Sequence, residues 1–149
     1  MRTLGNIIWH IPFLGFVTAF LAFLLGSLLV LTVIASPIGL GLLEYAKFLL
    51  KPFGSTMMDK KDLNRPVNPV WNLYSTIIML FYLPFGIILC LITLCQIIPL
   101  FFSIVGIPVA AVLAKSLGTL LNPVNKICVP SEVTTAIRQR KASEKYSQD

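Results

Sequence analysis

Two long uncharged runs set the terms on which this chain can fold. No Asp, Glu, Lys or Arg occurs from Thr3 to Leu43, 41 residues, or from Pro66 to Ala114, 49 residues. Apolar runs beyond about 18 residues read as membrane-spanning, because a soluble domain must cover its core with charged surface. Charged residues make up only 12% of the 149-residue chain, and the mean hydropathy is +0.86. Two very buried soluble helices are the competing explanation, and that charge content is too low to solvate them. The first run is also far longer than the apolar region of a signal peptide, about 7–15 residues, and no small-x-small cleavage site closes it. The N-terminus is therefore expected to be retained.

A continuous helix of 41 residues would extend about 60 Å, roughly twice the hydrocarbon thickness of about 30 Å. The chain must turn back within each run, and Pro beside Gly or Ser is where a helix most readily ends. Such breaks occur at Ser36-Pro37-Ile38-Gly39 and at Gly106-Ile107-Pro108. Pro12, Pro84 and Pro99 are expected to kink helices instead of ending them.

The two runs read as one unit written twice. At a constant offset of 71, Pro37 falls on Pro108, Pro52 on Pro123, Gly15 on Gly86, and Leu49-Leu50 on Leu120-Leu121. Gapless matching of prolines and a glycine is hard to obtain by chance, whereas leucines match cheaply. The expected fold is an all-α integral membrane protein of two tandem helical hairpins. Each hairpin has a long transmembrane helix (Ile7 to Ile34, then Trp71 to Val105), a proline turn (Pro37, then Pro108) and a shorter amphipathic helix (Leu40 to Leu50, then Val109 to Leu121).

Outside the apolar blocks, basic residues fall at Arg2, then Lys51, Lys60, Lys61 and Arg65, then Lys126, Arg138, Arg140, Lys141 and Lys145, and neither proline turn carries any. The positive-inside rule places the N-terminus, the central loop and the C-terminus together on the cytoplasmic side. Each unit then crosses an even number of times, and the units form parallel repeats about an axis along the membrane normal. In the competing topology each unit makes one crossing and lays its shorter helix along the interface. Only 13 residues separate Ile38 from Leu50, about 20 Å, which leaves that alternative open.

The shorter helices carry the ionisable groups. Glu44, Lys47 and Lys51 are spaced to share one face, with Glu44 and Lys47 one turn apart. Lys115, Thr119, Asn122 and Lys126 form a second stripe, with Lys115 at the position equivalent to Glu44. These residues line a polar path between helices or lie along an interface with lysines reaching the headgroups. Trp9 and His10, and in the second unit Trp71, Tyr74 and Tyr82, suit interfacial anchors. Gly15 and Gly86 could allow close helix contact. Ser131 could cap a short tail helix that exposes Glu132, Arg138, Arg140 and Lys141. The basic loop and tail suit anionic lipid headgroups, not nucleic acid.

Nothing here resembles catalytic machinery. There is one His, no carboxylate pair in an apolar segment, no phosphate loop and no metal spacing, so no enzyme activity, metal or cofactor is expected. Cys90, Cys95 and Cys128 are odd in number and make no disulfide framework.

Several stretches resemble one known family. They are Met1-Arg2-Thr3, Leu49-Leu50-Lys51-Pro52-Phe53-Gly54, Asp62-Leu63-Asn64 and, most distinctively, Ser103-Ile104-Val105-Gly106-Ile107-Pro108-Val109. The chain is similar over its full length to the YccF family, small bacterial inner-membrane proteins that carry two YccF domains and have no established activity. It departs from the family pattern at Gly86-Ile87-Ile88 and at Asn122-Pro123-Val124-Asn125, where tryptophans are common. The resemblance implies a YccF-like repeat over residues 1–54, a charged cytoplasmic linker over 55–70, a second repeat over 71–125 and a basic cytoplasmic tail over 126–149. It implies a multi-pass protein of the bacterial inner membrane and supplies no activity. Two functions stay open: a small homo-oligomeric channel or transporter-like pore, and a non-transporting scaffold or accessory subunit.

Overall fold

The computed structural model describes residues 2–11, 14–63, 66 and 68–146, so the expectations for Pro12, Asn64 and Arg65 lie outside the described residues. The elements are α1 (Arg2–His10), α2 (Gly15–Leu31), α3 (Ser36–Leu50), β1 (Ser55–Asp59), a 3-10 turn (Lys60–Leu63), α4 (Pro69–Phe101), α5 (Gly106–Leu121), β2 (Lys126–Pro130) and α6 (Ser131–Tyr146). Pro37 and Pro108 stand in the first turns of α3 and α5, where a missing N–H costs nothing. Pro84 and Pro99 both lie inside the continuous α4.

The long helix expected over Ile7 to Ile34 is instead two helices, α1 and α2, inclined to each other by 76°. The cause is visible in what α1 binds. Trp9 donates its indole N–H to the Leu49 carbonyl at 2.9 Å, His10 Nε2 lies 2.9 Å from the Leu50 carbonyl, and Asn6 accepts the Phe53 N–H at 3.3 Å. The last carbonyls of a helix have no intrahelical donor, and α1 folds across the end of α3 to supply them. Trp9 is therefore a buried cap, only 4% exposed, and not the interfacial anchor expected of it. Tyr82 does the corresponding work in the second half, donating to the Leu120 carbonyl at 3.0 Å.

Four residues join α2 to α3, and the two helices pack closely, with Gly26 and Gly39 in backbone contact. A Cβ on Gly39 would stand 2.7 Å from the Gly26 carbonyl oxygen. In the same way α5 packs on α4, where Gly86 meets the end of α5. Gly15, by contrast, makes room for the Trp9 ring.

The all-α expectation is corrected by a two-stranded antiparallel sheet. β1 pairs with β2 from Ser55↔Pro130 to Asp59↔Lys126, with Met57↔Cys128 at its centre. Pro52 and Pro123 each follow the end of a helix, and the chain leaves both extended. Extended backbone needs partners for its N–H and C=O groups, and each strand finds them in the other. The linker and the tail, expected as separate charged segments, are thus tied into one ladder. α6 follows and packs on both strands. It begins at Ser131 itself, whose hydroxyl makes no hydrogen bond among the described residues, so the expected side-chain cap is not formed; its N–H reaches the Gly54 carbonyl at 3.0 Å.

The helices α3 and α5 run past each other in opposite senses. Gly41 abuts the backbone of Pro123, the Tyr45 hydroxyl meets Ser116, and Phe53 packs near Ile107, Pro108 and Ala111. The strands pack on α3 and α5 from one side, and α2 and α4 pack on the same two helices in turn. The core sits within this middle layer, where Phe48 and Val112 are sealed from solvent beside Trp9, Ala19, Leu49 and Val109. The outer helices expose apolar side chains along their lengths, among them Leu21, Leu28, Leu80, Ile92 and Phe102.

Candidate functional site

Of the ionisable stripes expected on the short helices, Glu44 and Lys47 stand in α3 and Lys115 and Thr119 in α5, whereas Lys51 and Asn122 follow the ends of those helices and Lys126 lies in β2. Glu44 is ion-paired with Lys47 through Oε1, while its Oε2 accepts the backbone N–H of Cys128 at 3.0 Å. Lys115, at the equivalent place on α5, donates to the Pro52 carbonyl at 3.2 Å and lies 5.8 Å from the centre of the Phe53 ring, within cation–π range. An acid meets a donor in one half and a base meets an acceptor in the other. Each charge therefore clamps a helix of one half to the segment that follows the short helix of the other half.

The remaining members divide. Lys47 holds its side chain largely exposed, at 64%, and Lys51 is exposed at the end of α3. Thr119 is buried, and its hydroxyl has no hydrogen-bond partner among the described residues. Asn122 accepts the Val124 N–H at 3.0 Å and so shapes the turn into β2, while Lys126 caps the Gly118 carbonyl at 2.6 Å. A sequence pattern could place these residues on one helix face, but it carried no sign of partners 63 and 84 residues away. Tyr45, Ser116 and Cys128, which join the two halves, carried no signal at all.

On the strand side, Asp62 of the 3-10 turn is ion-paired with Lys141 of α6, and Arg140 with Glu144 at 3.0 Å. Glu132, Arg138, Arg140 and Lys141 are exposed, as expected. Among the described residues there is no cluster of His, Cys, Asp and Glu able to hold a metal ion.

Cys128 is half-buried, and burial pushes its thiol pKa up; a hydrogen bond with Ser55 opposes this, Glu44 adds to the rise and Lys47 offsets it. A raised pKa leaves less thiolate at a given pH, and thiolate is the reactive form. With Cys90 and Cys95 changed to Ala, iodoacetamide is expected to alkylate Cys128 more slowly than free cysteine at neutral pH, with the gap closing as the pH climbs past the raised value. Equal rates at neutral pH would contradict that environment.

Among the described residues one helix, α4, is long and apolar enough to cross a membrane, and α1 with α2 passes the same test if counted as one bent span. The family model YccF, described as an inner membrane component domain, matches residues 4–55, from α1 to the start of β1. The chain is 32% identical to the inner membrane protein YccF of Escherichia coli (strain K12) over 149 residues, covering 98% of this chain and 99% of that protein. The protein of the same name from Shigella flexneri matches to the same extent. No solved structure matches the chain.

Proposed function

The chain belongs to the YccF family of inner membrane proteins, and from that premise we propose that it is a non-transporting scaffold of two tandem repeats, seated in the bilayer from the cytoplasmic side. Support for the repeat comes from the ladder. β1 and β2 begin and end 71 residues apart, and the central pair Met57↔Cys128 joins residues that are themselves 71 apart. Tyr45 and Ser116, in contact across α3 and α5, have the same spacing. A half-turn about a line through these two pairs exchanges the halves.

The direction of that line decides the placement. Because α3 and α5 run oppositely, two spanning helices would make the repeats inverted, with the line lying in the bilayer midplane. Met57, Cys128 and the adjacent Asp59, Lys60, Lys61 and Lys126 would then stand at the hydrocarbon centre, where each charge costs about 2.5–3.5 kcal/mol or more. With the line along the membrane normal, α3 and α5 lie along the interface. The charged strand layer then faces the cytoplasm, and α2 and α4 are immersed. Both basic segments fall on the inside, as the positive-inside rule requires, and can meet anionic headgroups there.

The observation that carries the scaffold reading is the closure of Glu44 and Lys115 on the protein's own backbone. A pore assembled from several copies is called for only where such charges lack pairing or water within one protomer. Within one protomer they have partners, and neither transport nor oligomerisation is needed to explain them. Purified protein in liposomes is therefore expected to pass no ions under a salt gradient or an applied voltage. Flux that Glu44→Gln or Lys115→Gln alters would favour the pore.

A further inference from the structure

We propose that α3 carries a binding site for one anionic glycerophospholipid, with the phosphodiester in a polar pocket and an acyl chain in the apolar groove beside it. The polar pocket holds about 100 Å³ and is lined by Lys60, Trp71, Lys126 and the Glu44 carboxylate. The groove holds about 840 Å³ between α2 and α3, and its walls include Phe16, Phe20, Phe23, Leu43 and Leu50. Leu40 and Glu44 line both, so the two cavities meet along one ridge of α3. A polar compartment opening beside an apolar one is the shape of an amphiphile.

Charge selects which amphiphile. Lys60, Lys126 and Lys47 surround the ridge, and among the described lining residues Glu44 is the one acid. That carboxylate is already held by Lys47 and by the Cys128 N–H. The balance is positive, which suits a phosphodiester whose headgroup adds no cation. A choline or ethanolamine headgroup would bring a second positive charge against the two lysines. Trp71 lines the same pocket, and its ring is of the kind that favours the headgroup level. The groove is lined almost wholly by apolar side chains, so in a bilayer an acyl chain and not water is the occupant it suits.

The site rests on the proposed placement of α3 at the interface, since a crossing α3 would carry Lys60 and Lys126 to the hydrocarbon centre, but not on the absence of transport; lipid retention and the depth of α3 are measured separately, so the two can fail separately. Native mass spectrometry of detergent-solubilised full-length protein tests it, with phosphatidylglycerol and phosphatidylcholine of matched chains as probes. One phosphatidylglycerol should be retained in preference to phosphatidylcholine. Lys60→Gln should weaken that retention about fivefold, as for one lysine at an anionic surface. Leu43→Trp, which fills the groove, should weaken it while leaving the headgroup lysines in place. Equal retention of both lipids, or retention unchanged in Lys60→Gln, overturns the proposal. So does retention that Leu43→Trp leaves intact or that millimolar inorganic phosphate abolishes, since either assigns the pocket to a free phosphate. Unchanged elution profiles and far-UV circular dichroism exclude misfolding as the cause of a loss.

Discussion

Gly41→Ala is expected to disrupt the joint between the two halves more than any other single methyl addition on α3. The added Cβ would stand 1.9 Å from the Pro123 carbonyl oxygen, with the Pro123 carbonyl carbon at 2.6 Å. No real Cβ approaches backbone so closely, and neither partner is the free end of a side chain that could swing away. The α3 backbone must therefore move off the turn into β2, loosening the strand pair that both halves share. Overpacking typically costs about 1–3 kcal/mol and occasionally more, and this contact belongs at the upper end. Gly118→Ala provides the control. Its Cβ would meet nothing nearer than the Lys126 Nζ at 3.5 Å, and replacing Gly by Ala inside a helix favours the helix by about 0.8–1.0 kcal/mol. Thermal unfolding in one detergent should show a large fall for Gly41→Ala and no fall for Gly118→Ala. Similar midpoints for Gly41→Ala and the unaltered protein would contradict the close approach of α3 to Pro123.

Exchanging the two clamp charges comes second in expected size. Glu44→Lys removes the acceptor for the Cys128 N–H and sets a cation beside Lys47, Lys60 and Lys126. Lys115→Glu presents a carboxylate to the Pro52 carbonyl, so an acceptor faces an acceptor. Hydrogen bonds to charged groups are worth about 1.5–3 kcal/mol, and each single substitution should lose about that much. If Glu44 and Lys115 merely attracted one another, the double exchange would restore stability. The clamps predict no recovery, because each new side chain would still face a backbone group of the wrong kind. A double variant as stable as the original chain would refute them. Glu44→Gln should be milder than Glu44→Lys, since its amide oxygen can still accept the Cys128 N–H.

Much of the architecture was legible because it rests on patterns of composition. The uncharged runs marked the apolar helices, Pro37 and Pro108 marked the first turns of α3 and α5, and the spacing of Glu44 and Lys47 gave their ion pair. Relations between distant segments were not legible. Five-residue strands inside charged loops are too short to show alternation, so β1 and β2 were read as linker and tail. The break between α1 and α2 follows from what Trp9, His10 and Asn6 bind on the far side of the hairpin, and an apolar run carries no trace of that. The opposed directions of α3 and α5 were hidden for the same reason. Hydropathy reports that a helix is apolar on one face, not which way its neighbour runs. Glu44 and Lys115 could be placed on the short helices, but not their contacts across the halves, because the groups they meet there are backbone atoms of Cys128 and Pro52.

The central claim is that α3 lies along the membrane interface instead of crossing the bilayer. Spin labels at Leu43→Cys and Leu50→Cys, each in a background with Cys90, Cys95 and Cys128 replaced by Ala, measure it most directly. Leu43 is half-buried and Leu50 exposed; seven residues apart, they share one face of α3 and stand about 10 Å apart along it. Depth in liposomes is read from the relative collision rates with oxygen and a water-soluble nickel complex. The two labels are expected at similar depths, within about one helical turn of about 5.4 Å. A depth difference approaching the full separation along the helix would mean that α3 crosses the bilayer, and would contradict the account.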